Sequence, residues 1–148
     1  MRERYLRSLR LLAQCLQGFE RHSNEAVRRF GLTAAQFDIV ATLGNTQGMT
    51  CKDLGEKTLI TKGTLTGVLN RLEERGVLER TRGGDDKRAI YVRLTKQGEA
   101  LFDQVFPPVI AHDKLLFAGY DDAAYERLEA ELGRLKANID AVAGDSDA

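Results

Sequence analysis

The sequence predicts a mainly α-helical chain with one small β-hairpin, an α+β fold class, and three patterns support this prediction. Apolar residues recur at helical spacing along most of the 148 residues. Residues 89–94 instead alternate between apolar and polar side chains, which is the period of a half-buried strand. Gly83 and Gly84 separate that segment from residues 77–82, which we expect to be the partner strand.

The chain begins with a long amphipathic helix that we expect to end at Gly31. Its apolar stripe has spacings of four and three residues and comprises Tyr5, Leu9, Leu12, Leu16 and Phe19, widened by Leu6 and Leu11. Thr33 and Gln36 then have the spacing of a capping box, which predicts a second helix to about Leu43.

A short helix and a connector are expected next. Thr50 is a suitable N-cap for a helix over residues 51–58. The apolar pair Leu59 and Ile60 is predicted to be buried, and Thr61 is predicted to cap the following helix through its side chain.

The helix after Thr61 has two chemically different faces. Its apolar stripe is predicted to pack inward and contains Leu65, Val68, Leu69 and Leu72. The opposite face is small or hydrogen-bonding and contains Gly63, Thr66, Gly67 and Asn70. Glycine inside a helix costs about 1 kcal/mol relative to alanine, so this face predicts close approach by a partner such as DNA. Gly76 is expected to end the helix in the left-handed conformation.

Two helices are predicted after the hairpin. Thr95 is a candidate cap for a helix from Lys96, and we expect this helix to continue with a kink through Pro107 and Pro108. Asp121 is a candidate cap for the last helix, which is predicted to precede a disordered tail at residues 144–148. That helix has a heptad seam formed by Tyr125, Leu128, Leu132, Leu135, Ile139 and Val142.

Charge is distributed unevenly, although the net charge is zero. Residues 61–96 contain nine Lys and Arg against five Asp and Glu, whereas residues 113–148 contain four against nine. The helix and hairpin therefore have the positive balance expected of a nucleic-acid-binding segment. Residues 1–30 are equally basic, and there we interpret the charges as a solvated helix face.

Two segments resemble a known family. Residues 69–80, LNRLEERGVLER, pass from the helix through Gly76 into the first strand, and Asp86-Lys87-Arg88 is followed after five residues by Leu94-Thr95. In this order and separation they resemble the MarR family of winged helix-turn-helix transcription factors. The resemblance covers nearly the whole chain and implies a winged helix-turn-helix DNA-binding domain at residues 33–95, flanked by dimerisation helices at residues 1–30 and 96–143.

The resemblance also implies a function and a set of contacts. It implies a ligand-responsive repressor that binds inverted-repeat operators in double-stranded DNA as a homodimer, with its two recognition helices about 34–36 Å apart. In the wing, Arg88 is predicted to enter the minor groove, Asp86 to orient it, and Lys87 to face phosphate. The full set of predicted DNA-binding residues is Lys62, Gly63, Thr64, Thr66, Gly67, Asn70, Arg71, Arg82, Asp86, Lys87 and Arg88.

The input signal is less constrained by the sequence. The resemblance implies a small aromatic effector, for which the candidate ligand-binding residues are Phe19, His22, Phe37, Phe102 and Phe106. Redox sensing is the rival input. Cys15 lies on the first helix, as does the reactive cysteine of the peroxide-sensing branch of the family that this chain resembles. That branch activates its cysteine with tyrosines from the region of the second helix, whereas this chain has no tyrosine between Tyr5 and Tyr91, so we expect Cys15 to be a buried apolar filler. Cys51 beside Lys52 could have a lowered thiol pKa, yet we predict no redox switch.

No catalytic motif is found, and the sequence predicts neither an enzyme nor a cofactor. His22 and His112 are isolated in sequence, and with Cys15 and Cys51 they lack the spacing of a structural zinc site, so no metal is expected. No signal segment or long apolar run is seen, which favours the cytoplasm. The alternative function is a winged-helix protein-interaction module without specific DNA binding.

Overall fold

The computed structural model describes residues 3–83 and 88–146. It divides into two compact units, Met1–Lys114 and Leu115–Ala148, and each is described by itself. The helices of the described ranges are α1 (Arg4–Val27), α2 (Ala34–Leu43), α3 (Cys51–Lys57), α4 (Lys62–Glu74), α5 (Lys96–Lys114) and α6 (Asp122–Ser146). The strands are β1 (Met49–Thr50), β2 (Leu78–Arg82) and β3 (Ile90–Leu94).

The predicted start of α2 is confirmed. After α1 a 3₁₀ turn leads to Gly31, which has φ 71°, as expected where glycine ends a helix. The Gln36 N–H donates to Thr33 Oγ1 at 3.1 Å, and the Thr33 N–H donates to Gln36 Oε1 at 3.0 Å. This reciprocal pair is the capping box that the sequence predicts.

The connection from α3 to α4 is predicted only in part. Thr50 caps α3, since its Oγ1 accepts the Asp53 N–H at 3.1 Å. Leu59 was expected to be buried, but 79% of it is exposed; the connector is held instead through its main chain, where the Leu59 N–H donates to the Asp38 carboxylate at 2.8 Å. Ile60 packs against the core. Thr61 is the N-cap of α4 by backbone geometry, but its hydroxyl donates to Thr64 Oγ1 and makes no capping bond.

The end of α4 is tied to the start of α5. Gly76 has φ 76° and the Val77 N–H donates to the Leu72 carbonyl at 3.0 Å, so the predicted left-handed stop is confirmed. Thr95 caps α5 through the Gly98 N–H and also donates to the Gly76 carbonyl. A Cβ on Gly98 would lie 1.9 Å from the Val77 carbonyl oxygen, so only glycine permits this approach.

The hairpin belongs to a three-stranded sheet, whereas the sequence predicted two strands. The strand order is β1-β3-β2, with all neighbours antiparallel. The two-residue β1 is too short to give a period-2 signal, and its pairing with β3 forms only in the folded chain. The predicted faces of β3 are confirmed: Val92 is fully buried, whereas Tyr91 and Arg93 are exposed.

Two hydrophobic clusters form the core of the first unit. The larger lies among α2, α3, α4 and the sheet and includes Ile39, Leu54 and Leu72. The smaller joins α1, α2 and α5 and includes Val27 and Val109. The α5 helix continues through Pro107 and Pro108, as the sequence analysis predicted, instead of ending at Phe106.

The second unit consists of a 3₁₀ turn followed by α6. The Ala124 N–H donates to Asp121 Oδ1 at 2.9 Å, which confirms the predicted cap. The α6 helix continues to Ser146, so residues 144–146 are helical where a disordered tail was expected; residues 147 and 148 lie outside the described residues. In the described ranges no helix combines the length and apolar character needed to cross a membrane.

Candidate nucleic-acid interface

The face of α4 opposite the core is open, as the sequence predicted. Leu65, Leu69 and Leu72 are buried, which fixes the rotation of the helix. The first turn contains no acidic residue. All seven predicted contact residues of the helix are therefore exposed: Lys62, Gly63, Thr64, Thr66, Gly67, Asn70 and Arg71.

No described residue packs against the two glycines of this face. A Cβ built on Gly63 or on Gly67 would meet no described atom within 4 Å. Gly98, by contrast, is required by a neighbouring backbone. The absent side chains at Gly63 and Gly67 leave the backbone of α4 accessible to a large partner.

The face also contains a contact that the sequence analysis missed. Arg80 of β2 donates from Nη2 to Asn70 Oδ1 at 2.6 Å and from Nε to Glu73 Oε2 at 3.1 Å. The Arg80 N–H donates to the same Glu73 oxygen. The hydrogen bond from Arg80 lowers the pKa of Glu73. One signal was available: Arg80 lies two residues after Leu78, which places both on the strand face toward α4.

The hairpin adds further cations. Arg82 ends β2 and Arg88 precedes β3, and both are exposed. Arg93 of β3 is paired with Glu79 of β2. Asp86 and Lys87, to which the sequence analysis gave an orienting and a phosphate-facing role, lie outside the described residues.

The five predicted effector residues lie in different environments. Phe102 and Phe106 stack with their ring centroids 4.7 Å apart, and Phe37, like Phe102, is buried in the core. Phe19 is half-buried. A cleft of about 190 Å³ opens beside Phe102 and is otherwise lined by Gly44, Asn45, Glu99 and Asp103.

His22 and His112 are not isolated, contrary to the expectation from sequence. Their rings stack at 3.9 Å with an interplanar angle of 9°. The Nε2 of each ring bonds to the main-chain carbonyl of the other residue, at 2.7 and 2.8 Å, and joins α1 to α5. The two residues are 90 positions apart, so no local pattern could reveal the pair.

This histidine pair has neighbouring carboxylates but a poor geometry for a metal. Ligand atoms of His22, Glu25 and His112 lie within 4.8 Å of one another, and Asp113 accepts a bond from Ser23. Because a carbonyl oxygen only accepts, each Nε2 carries a hydrogen, which leaves only the Nδ1 of each ring as a candidate ligand atom. Parallel rings also direct their ligand lone pairs along parallel planes instead of toward one ion.

The two thiols differ from their expected environments. Cys15 is exposed, so the expectation of a buried filler is wrong for this chain; the exposed apolar residues around it show that this part of α1 has no cover. Cys51 is half-buried, and burial raises the pKa of its thiol, with the Arg80 charge as a smaller opposing effect. The lowered pKa considered for Cys51 is therefore not found, and the absence of a redox switch stays a prediction.

Comparisons with known proteins agree with this architecture. The MarR family model matches residues 32–90. An uncharacterized HTH-type transcriptional regulator of Bacillus cereus is 33% identical over 79% of this chain and 76% of its own length. The homoprotocatechuate degradative operon repressor of Escherichia coli is 31% identical over 71% of this chain and 63% of its own length.

A solved structure extends the agreement to the fold. A mutant MarR from Escherichia coli, complexed with operator DNA, superimposes with a TM-score of 0.73 at 28% identity, covering 85% of this chain and 91% of that one. The family consists of transcriptional regulators and not of enzymes. The fold, the family model and the relatives agree, and the chain therefore belongs to the MarR family of winged helix-turn-helix transcriptional regulators.

Proposed function

We propose that this chain is a repressor that binds inverted-repeat operator DNA as a homodimer, with α4 in the major groove. The observation that supports this most directly is the bare backbone at Gly63 and Gly67, where an added Cβ would meet no atom of the described residues within 4 Å. Two helical glycines cost about 1 kcal/mol each relative to alanine. Packing among the described residues does not require glycine at these positions. Close approach of a DNA groove to the α4 backbone does require it, and this would explain why the stability cost is accepted.

The charges around this face support the same partner. Lys62 lies in the first turn of α4, where free N–H groups and the helix dipole favour phosphate. Arg82 and Arg88 are exposed cations at the hairpin end of the sheet. Together they provide the backbone contacts that orient a reading helix on a duplex.

Repression is proposed from two sources. The Escherichia coli relative is named as the repressor of a degradative operon, and the solved mutant MarR is bound to operator DNA. A regulator that occupies an operator excludes other proteins from that DNA.

The dimer is proposed from the uncovered seam of α6. Leu128, Leu132, Leu135, Ile139 and Val142 are 37–69% exposed, although they repeat at heptad spacing. The apolar residues of α1, such as Leu9 and Leu16, are also exposed. Apolar stripes of this extent indicate an association surface, and a second copy would also supply the second half-site contact of an inverted repeat.

The test is a DNA titration at two salt concentrations, with a duplex selected from a random library and a scrambled duplex as control. We expect the selected duplex to bind far more tightly than the scrambled one, by about a thousandfold or more at physiological salt. Lys62→Ala should weaken both complexes and reduce the salt slope by about 0.9, as the loss of one phosphate contact does. Equal binding of all duplexes would contradict the proposal and favour the protein-interaction module.

Response to a small aromatic effector stays a prediction from the sequence. The cleft beside Phe102, of about 190 Å³, is below the usual range of ligand sites, about 300–1,000 Å³. Addition of phenolic compounds to the preformed DNA complex provides the test, with release of the duplex as the expected response.

A further inference from the structure

The Arg80 side chain is held in a fixed position between α4 and β2. Its Nε and Nη2 donate to the two carboxylate oxygens of Glu73, at 3.1 and 3.2 Å, and the main-chain N–H of Arg80 donates to one of them. Only 25% of the Arg80 side chain is exposed. The remaining contact of Nη2, to Asn70 at 2.6 Å, is therefore made by a group that Glu73 already orients.

This contact determines which way the Asn70 amide points. A guanidinium group has five N–H donors and no acceptor, so the amide atom that faces it must be the oxygen. The oxygen and nitrogen of an amide have nearly the same size and are normally assigned from their partners. Here the partner leaves one choice, and the Asn70 NH₂ group is directed away from Arg80.

The NH₂ group is available to a ligand. Asn70 is exposed on the same face of α4 as Gly63 and Gly67. No hydrogen bond from its NH₂ group is found among the described residues, whereas its oxygen is engaged in a charge-assisted bond. Asn70 therefore presents two N–H donors on the exposed face of α4. Its oxygen already accepts from Arg80, so it is a weaker acceptor for a base.

We propose that Arg80 sets the hydrogen-bonding polarity of Asn70, and that Asn70 consequently selects a base pair that presents acceptors in the major groove. Guanine offers two adjacent acceptors, O6 and N7. Adenine is usually read by asparagine in a bidentate arrangement that also needs the amide oxygen as acceptor for the N6 amino group. Guanine is thus preferred over adenine at the base that Asn70 contacts. This inference rests on the proposed DNA binding by α4.

The test uses a pool of double-stranded DNA with randomised inverted-repeat half-sites, followed by titration of single-base variants of the selected site. The wild type should prefer guanine over adenine by about tenfold at one position of each half-site, the value of one well-formed base contact. Asn70→Asp replaces the donors by acceptors without changing the shape, so it should reverse this preference toward adenine or cytosine.

Arg80→Met removes the guanidinium, and the Asn70 amide then rotates freely. The affinity for the site with adenine should then rise until it is within about twofold of the affinity for the site with guanine, since asparagine can now form its bidentate pair with adenine. Arg93→Met is the matched control: it removes a guanidinium from the neighbouring strand that is paired with Glu79 and not with Asn70, so its base preference should equal that of the wild type. Circular dichroism and thermal unfolding establish that each variant is folded.

The outcomes separate the two proposals. A wild-type protein that enriches no consensus would overturn the proposed function and this inference together. A wild-type protein with a clear consensus, whose base preference is unchanged in Asn70→Asp, would overturn the inference alone. If Arg80→Met does not fold, Arg80→Gln replaces the guanidinium by an amide that can either donate to Asn70 or accept from it, and an unchanged preference for guanine in that variant would also overturn the inference.

Discussion

At the scale of single residues, substitution of Gly67 is predicted to change the stability of the fold and its affinity for DNA in opposite directions. Gly67→Ala should raise the free energy of unfolding by about 1 kcal/mol, because alanine is the better helix former and the site is open. The same methyl group should weaken operator binding, because it occupies the space between the α4 backbone and the groove. Denaturant unfolding and DNA titration measure the two effects.

Gly133→Ala is the control for this prediction. Gly133 is also helical and exposed with nothing near its missing Cβ, but it lies on α6. It should gain stability without loss of DNA affinity. If Gly67→Ala bound the operator as tightly as Gly133→Ala, the glycine face would have no role in DNA contact.

Asp38 provides a prediction about pH. Burial raises the pKa of its carboxyl group, and the bond from the Leu59 N–H opposes this more weakly. A raised pKa means that the contribution of Asp38 to stability is greatest below its usual pKa and is lost as the pH rises through the folded-state value. Asp38→Asn keeps an acceptor for Leu59 but does not titrate.

The stability of Asp38→Asn relative to the wild type should therefore increase with pH between about 3 and 7, a range that begins below the usual pKa of aspartate. Thermal unfolding of both proteins across this range measures the difference. A relative stability that decreases with pH would show that the folded state lowers the pKa of Asp38 instead.

At the scale of elements, the hairpin is predicted to read DNA through Arg88. Narrow A·T-rich minor grooves have enhanced negative potential and attract arginine. Arg88→Ala should therefore weaken binding most at sites with A·T-rich flanks, as measured by titration of duplexes that differ only in their flanks. Arg93→Ala is the control, since Arg93 is paired with Glu79 within the sheet. An equal loss at all flanks would indicate a phosphate contact.

Most element boundaries could be predicted because they depend on local chemistry. Thr33, Thr50 and Thr95 each cap a helix through a partner three residues away, and this spacing is visible in sequence. Gly76 ends α4 because few other residues adopt a positive φ at low cost. Such signals need no knowledge of the tertiary fold.

The rest depends on contacts between distant segments. The bond from Arg80 to Asn70 requires β2 to lie beside α4, and the pairing of β1 requires β3, which is more than 40 residues away, to close against it. Leu59 has the side chain of a core residue, but it is exposed in the fold, where its main-chain N–H is bonded to Asp38, 21 positions earlier. The candidate interface was thus located from sequence, but the groups that orient it were not.

At the scale of the whole molecule, the seam of α6 is predicted to hold two copies together. Leu132→Glu would place an unpaired charge in an apolar interface and should dissociate the dimer at micromolar concentration. Operator affinity should fall with it, because one half-site retains only part of the contacts. Light scattering gives the mass, and Ala137→Glu, on the other side of the same helix, should leave the mass unchanged.

If the Leu132→Glu protein stayed dimeric, the seam of α6 would not be the dimer interface. The exposed apolar residues of α1 would then be the remaining candidate surface. Comparable substitutions there, such as Leu9→Glu, would locate the contact.

We expect the pairing of the short strand β1 to limit which spacings between operator half-sites the protein can bind. Thr50 pairs with Tyr91 of the hairpin and also caps α3, so the hairpin is fastened to the helix-turn-helix at its base. Arg80 of β2 provides a second attachment of the hairpin, through its hydrogen bonds to Glu73 and Asn70 of α4. We predict that α3, α4 and the paired strands therefore move together, so that each copy of the proposed dimer binds its half-site in one register. A change in the spacing between half-sites should then be compensated only by movement outside these elements.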